Sequence, residues 1–342
     1  MKSLKDISWL VSEEEYRQDK ALSYSTLAKY ERGGFKALNT LFESVSSPSL
    51  TFGSAVDSIL TGGEDEFNDR FIIADYPSIS DTMINIVKYL YTTFGETCNS
   101  IKDIPEEDIV DATTLYSYQM NWKPTTRVKK VIEDGEDYYS LLHLCDNGKK
   151  TILNANTYND VYNAVKSLKE SNSTKFWFSK CIDGEEKLYQ LKFKATFKDV
   201  DYRCMADIIY VNHNEKYIVP VDLKTSSKPE WEFYKSFIDW SYQIQARLYW
   251  RIIRKNLDQD PYFKDFELMP YRFIVVSRGS NNPLSWEFED TTTEGTLKYK
   301  DIEMRDPFEI GDELNRYLLL NPNIPFGIQT LGNNSLKTWL NK

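Results

Sequence analysis

Three consecutive segments of alternating apolar and polar residues limit the folds that this chain can adopt. The segments cover residues 187–198, 203–211 and 216–223. Because successive side chains of a strand point to opposite faces, the alternation predicts three β-strands. The loop 211–215, Val-Asn-His-Asn-Glu, is short and polar, which is typical of a hairpin turn. We therefore expect an antiparallel run of strands in the second half of the chain.

Helical patterns lie on both sides of these strands. The predicted helices cover residues 25–45 (capped by Ser23 or Ser25), residues 52–62, a segment from Ser80 or Asp81, a segment from Thr157, and residues 230–256. Residues 270–277, PYRFIVVS, predict a further buried strand. The order of helices, antiparallel strands, a helix and a strand predicts an α/β fold in which a mixed central β-sheet is flanked by helices.

The composition points to a folded protein without membrane segments. Of the 342 residues, 41% are hydrophobic and 14% are aromatic, which is enough to fill a core and argues against disorder. No stretch approaches the ~20 apolar residues that cross a bilayer, and the N-terminus has no signal-peptide pattern. The four cysteines form no C-x-x-C pair, so we expect free thiols in a reducing cytoplasm.

The distribution of charged residues and the small number of histidines limit the kinds of active site that this chain can form. The net charge is −10, yet residues 185–255 hold 13 lysines and arginines against 10 acidic residues. Such an uneven distribution suits an enzyme with one basic groove and an acidic exterior. The only histidines of the sequence are His143 and His213. A histidine-rich metal site or a Ser-His-Asp triad is therefore hard to build.

Two carboxylates interrupt apolar strands. Asp207 lies in CMADIIYV and Asp222 in YIVPVDLKTSS, and such a carboxylate is costly to bury unless it is paired or bound to a cation. Asp222 and Lys224 are two residues apart, so they project from one strand face, whereas Leu223 points the other way. Two carboxylates and an ammonium group at a hairpin make an oxygen-rich site that suits Mg²⁺ or Mn²⁺ rather than zinc. For the D-x-K triplet alone, a surface salt bridge is the alternative.

The pattern of Asp207 followed by Asp222-Leu-Lys224 resembles the core of PD-(D/E)XK nucleases, with a restriction-endonuclease-like fold. More narrowly, it is similar to the phage-type and RecE/RecB-like exonucleases. Four further stretches follow in the order of that family. They are LSYSTLAKYERGGFKAL at 22–38, FGSAVDSIL at 52–60, GEEKLYQLKF at 184–193 and YQIQARLYW at 242–250. The resemblance covers residues 20–75 and 152–290.

The resemblance implies an active centre for phosphodiester hydrolysis. Asp207, Asp222 and the Leu223 carbonyl would hold one or two divalent ions, either Mg²⁺ or Mn²⁺. Glu186 or Asp57 would assist them as a further ligand. A metal held in this way lowers the pKa of a bound water and stabilises charge on the scissile phosphate.

The same resemblance assigns roles to three more side chains. Lys224 would orient the attacking water or neutralise the transition state. Gln245 would position the phosphate or the water, and Tyr249 completes the Q-x-x-x-Y pattern on the same helix face, with a core position as its alternative. Four basic residues on this helix are either a phosphate-contacting stripe or a solvated helix face. They are Arg247, Arg251, Arg254 and Lys255.

The chain departs from the family pattern in places. The second helix usually carries His where this chain has Asp57, and a solvent-facing helix position is an equal alternative to a metal ligand there. Position 206 is Ala where many members have Pro or Gly. For the acidic residue of the first strand, the spacing favours Glu186 over Glu185. Because Cys204 is the last cysteine, the clustered cysteines of the iron–sulphur relatives are not expected.

The resemblance implies a metal-dependent DNA nuclease, and more narrowly an exonuclease, in phage or plasmid recombination or DNA end processing. DNA would be its main partner, and a single-strand annealing or other recombination protein is a candidate second partner; the oligomeric state is open. One alternative is a catalytically inactive DNA- or protein-binding module on the same fold. Another is an unrelated α/β protein with a chance D-x-K triplet.

The expected organisation has three parts. Residues 1–150 form an N-terminal helical region that contains an unplaced insertion and packs on the core. Residues 151–290 form the nuclease core, and residues 291–342 form a C-terminal extension. Within the first part, residues 95–150 mix helical patterns with turn signals at Asp134-Gly135 and Asn147-Gly148.

Overall fold

The three alternating segments form consecutive antiparallel strands in the computed structural model, which describes residues 1–42, 47–75, 79–145 and 150–320. The strands are β1 (Phe71–Ile73), β2 (Thr151–Leu153), β3 (Glu185–Phe197), β4 (Val200–Asn212), β5 (Tyr217–Ser226), β6 (Glu267–Leu268), β7 (Tyr271–Ser277), β8 (Leu284–Phe288), β9 (Leu297–Tyr299) and β10 (Ile302–Met304). The α-helices are α1 (Glu13–Gln18), α2 (Tyr24–Gly33), α3 (Pro48–Thr61), α4 (Gly63–Arg70), α5 (Asp81–Phe94), α6 (Glu106–Leu115), α7 (Pro124–Leu144), α8 (Ala155–Glu170), α9 (Lys175–Phe178), α10 (Phe233–Asp239), α11 (Tyr242–Asp258) and α12 (Pro307–Leu320).

The chain divides into two compact units. Residues 1–45 and 166–342 form the first, which we call the sheet unit, and residues 46–165 form the second, the helical unit. The first residues of the chain and those after 290 thus share a unit with strands β3–β8. In the described ranges, no helix is long and apolar enough to cross a membrane.

The central sheet of the sheet unit has six strands in the order β3-β4-β5-β7-β8, and β6 pairs with β5. Neighbouring strands are antiparallel except that β5 is parallel to β6 and β7. Parallel neighbours need a long crossover connection, and α10 and α11 supply it between β5 and β7. The predicted mixed central sheet is confirmed.

Helices cover both faces of this sheet. One face carries the main core of the sheet unit, where α2, α11 and α12 pack against β3 and β4. Its fully buried residues include Leu27, Phe193, Ile252 and Leu314. On the opposite face, Phe176 of α9 packs edge-on against Tyr210 of β4, with ring centroids 5.1 Å apart. The expected flanking helices are therefore present.

Several helix boundaries differ from the predictions. The helix predicted at 25–45 ends at Gly33, because Gly34 adopts φ +54° and turns the chain. Its cap is Ser23, whose side chain accepts from the Thr26 amide. The helix predicted to begin at Thr157 is α8, which begins at Ala155.

The helical unit corrects the turn that we predicted at Asp134-Gly135. Both residues lie inside α7, where a Cβ on Gly135 would come within 2.7 Å of Val87 Cγ2. A glycine at this point therefore allows two helices to approach closely, and it does not mark a hairpin. The other predicted turn, Asn147-Gly148, lies outside the described residues.

The long helix predicted at 230–256 is divided in two. Helix α10 ends at Asp239, and α11 begins at Tyr242. Between them Ser241 has φ 56° and ψ 43°, the left-handed conformation, which non-glycine residues seldom adopt. The two helices therefore leave the turn in different directions.

Candidate active site

Strands β4 and β5 separate at the position of the predicted carboxylates. Their pairing runs from Asn212–Tyr217 to Ile208–Val221 and ends there, while β5 continues beside β7 as far as Ser226. Beyond the last pair, Asp207 Oδ2 accepts a hydrogen bond from the Leu223 amide at 2.9 Å. A carboxylate thus takes the place of a backbone partner where the two strands diverge.

A strand irregularity sets the position of Asp207. The pairing of β3 with β4 skips Gln190 and Asp207, and Gln190 has φ +53°. Leu188 and Leu191, three residues apart, both pack against the main core. The regular alternation that we predicted over residues 187–198 is therefore interrupted at Gln190, because one left-handed residue reverses which side chains face inward.

Gln190 is a site residue that the sequence did not reveal. Its Nε2 lies 3.5 Å from Asp207 Oδ1, at the long limit of a hydrogen bond. A glutamine in a strand with alternating polar residues carries no distinctive signal. Only the irregularity in β3 directs its amide toward the carboxylate of the neighbouring strand.

Asp222 is the most buried of the predicted site residues on the strands, with 2% of its surface exposed. Lys224 Nζ lies 2.7 Å from its Oδ2, and Gln245 Nε2 of α11 donates to its Oδ1. Gln245 is itself only 4% exposed. The structure therefore brings together the D-x-K strand and the Q-x-x-x-Y helix at a single buried carboxylate.

Two tyrosine rings surround the Lys224 ammonium. Its Nζ lies 4.5 Å from the ring centroid of Tyr242 and 5.9 Å from that of Tyr24. Burial is the largest single effect and lowers the pKa of Lys224, but the charge of Asp222 together with smaller contributions from the two tyrosines and Asp207 outweighs it. The pKa is therefore raised above its ordinary value, and Lys224 carries a fixed positive charge rather than acting as a proton acceptor.

The residues at the strand opening fit a hard metal ion. Among the described residues, the buried Asp222 Oδ2 and Gln245 Oε1 have no hydrogen-bond partner, although the Lys224 ammonium forms an ion pair with the former. A buried oxygen without a donor, such as Gln245 Oε1, is unusual in proteins, and a cation near Asp222 would add to the ion pair of that carboxylate. In an extended strand the amide and carbonyl of one residue point to the same side. The Leu223 carbonyl is therefore directed toward Asp207.

The donor set consists of oxygen atoms. In the part of the chain that the structure describes, no group of three or more His, Cys, Asp or Glu side chains could hold a metal ion. A site here would rest on Asp207, Asp222 and the Leu223 carbonyl. Such a set matches Mg²⁺ or Mn²⁺, which accept carboxylate and carbonyl oxygens together with water.

Tyr249 is buried below the site, with 7% of its surface exposed. Its ring meets that of Tyr271 edge-on at 6.1 Å. Burial, and then the charges of its neighbours, raise the pKa of Tyr249 well above its ordinary value. Tyr249 therefore has the surroundings of a core residue that supports the site. A catalytic role for Tyr249 stays a prediction.

The structure does not place Glu186 beside the two aspartates. Glu186 pairs in register with Val211, four residues from Asp207 along β4. Its carboxylate accepts from Ser3 Oγ and from the Leu4 amide. These contacts attach the N-terminal segment to β3. Glu185 is also engaged elsewhere and accepts from the Tyr210 hydroxyl at 2.6 Å.

Asp57 lies on α3 in the helical unit. It is half-buried, and its main-chain carbonyl accepts from Thr61 Oγ1 at 2.9 Å. Its part in metal binding stays a prediction.

The basic residues of α11 do not form the predicted stripe or a solvated face. Arg247 is fully buried, and its guanidinium lies 2.9 Å from Asp306 Oδ2. Arg251 reaches the same carboxylate at 3.3 Å. Arg254 donates to the Phe266 carbonyl, and Lys255 to the Thr196 carbonyl. Their charges hold neighbouring segments of the sheet unit in place.

The buried Arg247–Asp306 pair yields a stability prediction. Asp306→Ala should lower the free energy of unfolding by about 3–5 kcal/mol, because it leaves a buried guanidinium without its counter-ion. Asp258→Ala removes the exposed partner of Arg254 and should cost roughly 0–1 kcal/mol. Urea unfolding of both variants measures the difference, and equal costs would show that the buried pair is not important for stability.

Comparison with known proteins identifies the family of the chain. A family model described as a PDDEXK-like domain of unknown function (DUF3799) matches residues 23–280. No curated protein matches the chain. Among solved structures, the chain is similar to a protein from Eubacterium rectale that carries the provisional name of exonuclease. The TM-score is 0.44 at 12% identity, with 96% of this chain and 95% of that chain covered. Because the family match spans well over half of the sequence, the chain belongs to the family of PDDEXK-like domains.

Proposed function

We propose that this protein is a divalent-metal-dependent DNA nuclease with its active centre at Asp207, Asp222 and Lys224. The observation that carries the proposal is the buried Asp222 carboxylate, held between Lys224 and Gln245 at the opening between β4 and β5. Membership of the PDDEXK-like family supports a nuclease, and PDDEXK nucleases generally use divalent metals.

Asp207, Asp222 and the Leu223 carbonyl would hold Mg²⁺ or Mn²⁺. Bound there, the ion would activate water for attack on a phosphodiester and stabilise charge on the phosphate. Gln190 and Gln245 orient the two carboxylates by donating to them. Lys224 holds a positive charge beside Asp222, where it stabilises the negative charge that develops on the phosphate.

The proposed nuclease would act on DNA ends inside a cell. An exonuclease that processes DNA ends in phage or plasmid recombination would act in the cytoplasm. All four cysteines are free thiols, which supports a reducing compartment. A single-strand annealing protein that receives the processed strand is the partner that this role would require.

The direct test uses purified protein with end-labelled linear DNA and with circular DNA, each in Mg²⁺, Mn²⁺ or EDTA. We expect cleavage with either ion, no cleavage in EDTA, and a strong preference for linear DNA. Cleavage of both forms at equal rates would identify an endonuclease. Binding without cleavage under all conditions would instead indicate an inactive DNA-binding module.

Metal binding should be detectable without any reaction. Because the ion relieves the repulsion between two nearby carboxylates, Mg²⁺ or Mn²⁺ should raise the melting temperature of the wild-type protein. Asp207→Asn should reduce the increase, and Asp201→Asn, an exposed aspartate on the same strand, should retain it. An equal increase in all three proteins would place the bound ion elsewhere.

A further inference from the structure

An exposed tryptophan lies on a fixed turn of the sheet unit. Trp240 joins α10 to α11 and exposes 52% of its surface. Its carbonyl accepts from the Tyr24 hydroxyl at 2.8 Å and from Arg32 Nη1 at 2.9 Å. The following residue, Ser241, holds the left-handed conformation. The backbone is thus fixed from two sides, while a large apolar ring faces solvent.

The same contacts place Trp240 next to the proposed active centre. Tyr24, which binds its carbonyl, also lies 5.9 Å from Lys224 Nζ. Tyr242, two residues after Trp240, lies 4.5 Å from the same atom. The two tyrosine rings are 6.1 Å apart. The Trp240 backbone is therefore linked to the surroundings of the Lys224 ammonium through the Tyr24 side chain.

A cation accompanies the ring. The Arg32 guanidinium lies 5.0 Å from the Trp240 ring centroid, and Arg32 is exposed. Proteins that bind single strands combine aromatic rings, on which bases stack, with cations that follow the phosphates. Trp240 exposes 52% of its surface, so its ring is accessible to a base from solvent.

We propose that Trp240 and Arg32 form a stacking platform for an unpaired base of the DNA strand that enters the active centre. The inference rests on the proposed nuclease function and narrows its substrate to DNA with a single-stranded segment. Within a duplex both faces of a base are covered by its neighbours, so the ring can reach a base only where the strand is unpaired. Arg32 supplies the positive charge that complements the backbone of that strand.

The test measures binding of a fluorescent single-stranded oligonucleotide of about 20 nucleotides by anisotropy in EDTA, where no cleavage is expected. Removal of one base-stacking ring weakens single-strand binding by roughly 5- to 150-fold. We expect Trp240→Ala to show a loss in this range and Trp240→Phe to retain most of the affinity. An oligonucleotide of abasic sites should bind the wild type and Trp240→Ala equally, and a duplex should bind both proteins equally.

The matched control is Trp231→Ala, since Trp231 exposes 56% of its surface and should leave binding unchanged. Melting temperatures confirm that each variant is folded. The proposed stacking platform would be rejected if Trp240→Ala bound single-stranded DNA as tightly as the wild type. It would also be rejected if Trp231→Ala lost as much affinity as Trp240→Ala.

Cleavage of the same oligonucleotide in Mg²⁺ separates this inference from the proposed function. If the wild type cleaves DNA and Trp240→Ala binds normally, only the platform is rejected. If the wild type neither cleaves nor binds DNA, both proposals fail. Weakened binding by Trp240→Ala without any cleavage by the wild type would support the platform and reject the nuclease.

Discussion

Asp222→Asn is expected to reduce DNA cleavage by at least about a thousand-fold while the protein remains folded. Asp222 is the buried carboxylate that Lys224 and Gln245 both contact, and it is one of the two carboxylates available to the metal. The amide keeps the size of the side chain but cannot supply the charge that a divalent ion requires. A change of this size corresponds to about 4 kcal/mol of transition-state stabilisation.

The measurement is single-turnover cleavage of end-labelled linear DNA, with the melting temperature recorded in parallel. Asp201→Asn is the control, because Asp201 lies at the start of β4 with 51% of its side chain exposed. It should cleave at the wild-type rate. Full activity in Asp222→Asn, with an unchanged melting temperature, would remove Asp222 from the active centre.

Lys224→Met should slow hydrolysis by orders of magnitude and leave metal and DNA binding nearly unchanged. The charge of Lys224 matters most when negative charge accumulates on the phosphate, so its loss affects the transition state more than the ground state. The turnover rate should therefore fall more than the affinity. Since the pKa of Lys224 is raised, the ammonium stays charged at neutral and moderately alkaline pH. The deficit should persist across that range.

Lys194→Met distinguishes the catalytic charge from an ordinary ion pair. Lys194 lies on β3 and pairs with Asp19 at 2.9 Å with a third of its side chain exposed. Its loss should cost roughly 0–1 kcal/mol of stability and nothing in rate. Single-turnover cleavage beside a DNA-binding titration measures both effects. An unchanged cleavage rate in Lys224→Met would reduce Lys224 to the partner of a structural salt bridge.

The sheet and the D-x-K strand could be predicted because their signals are local. A period of two specifies a strand, and Asp222 and Lys224 share a face because β5 is regular between them. The mixed sheet also followed from the order of the elements, since a helix between two buried strands is the usual crossover between parallel neighbours. These inferences need no knowledge of distant residues.

The break at Ser241 could not be predicted in this way. Neither glycine nor proline marks it, and the helical pattern continues through it. The Trp240 carbonyl is bound by Tyr24 and Arg32, which lie 216 and 208 residues away in the sequence. Distant donors therefore support a left-handed residue that local propensity disfavours.

The sequence by itself determined the strands and the D-x-K triplet, because side-chain periodicity is a property of neighbouring residues. Only the tertiary structure decided which polar groups meet. It placed Gln190 beside Asp207, and it bound Glu186 to the N-terminal segment. It also buried Arg247 against Asp306, 59 residues away. Such pairings depend on strand register and helix packing, which bring together groups whose separation along the chain carries no information about their distance in space.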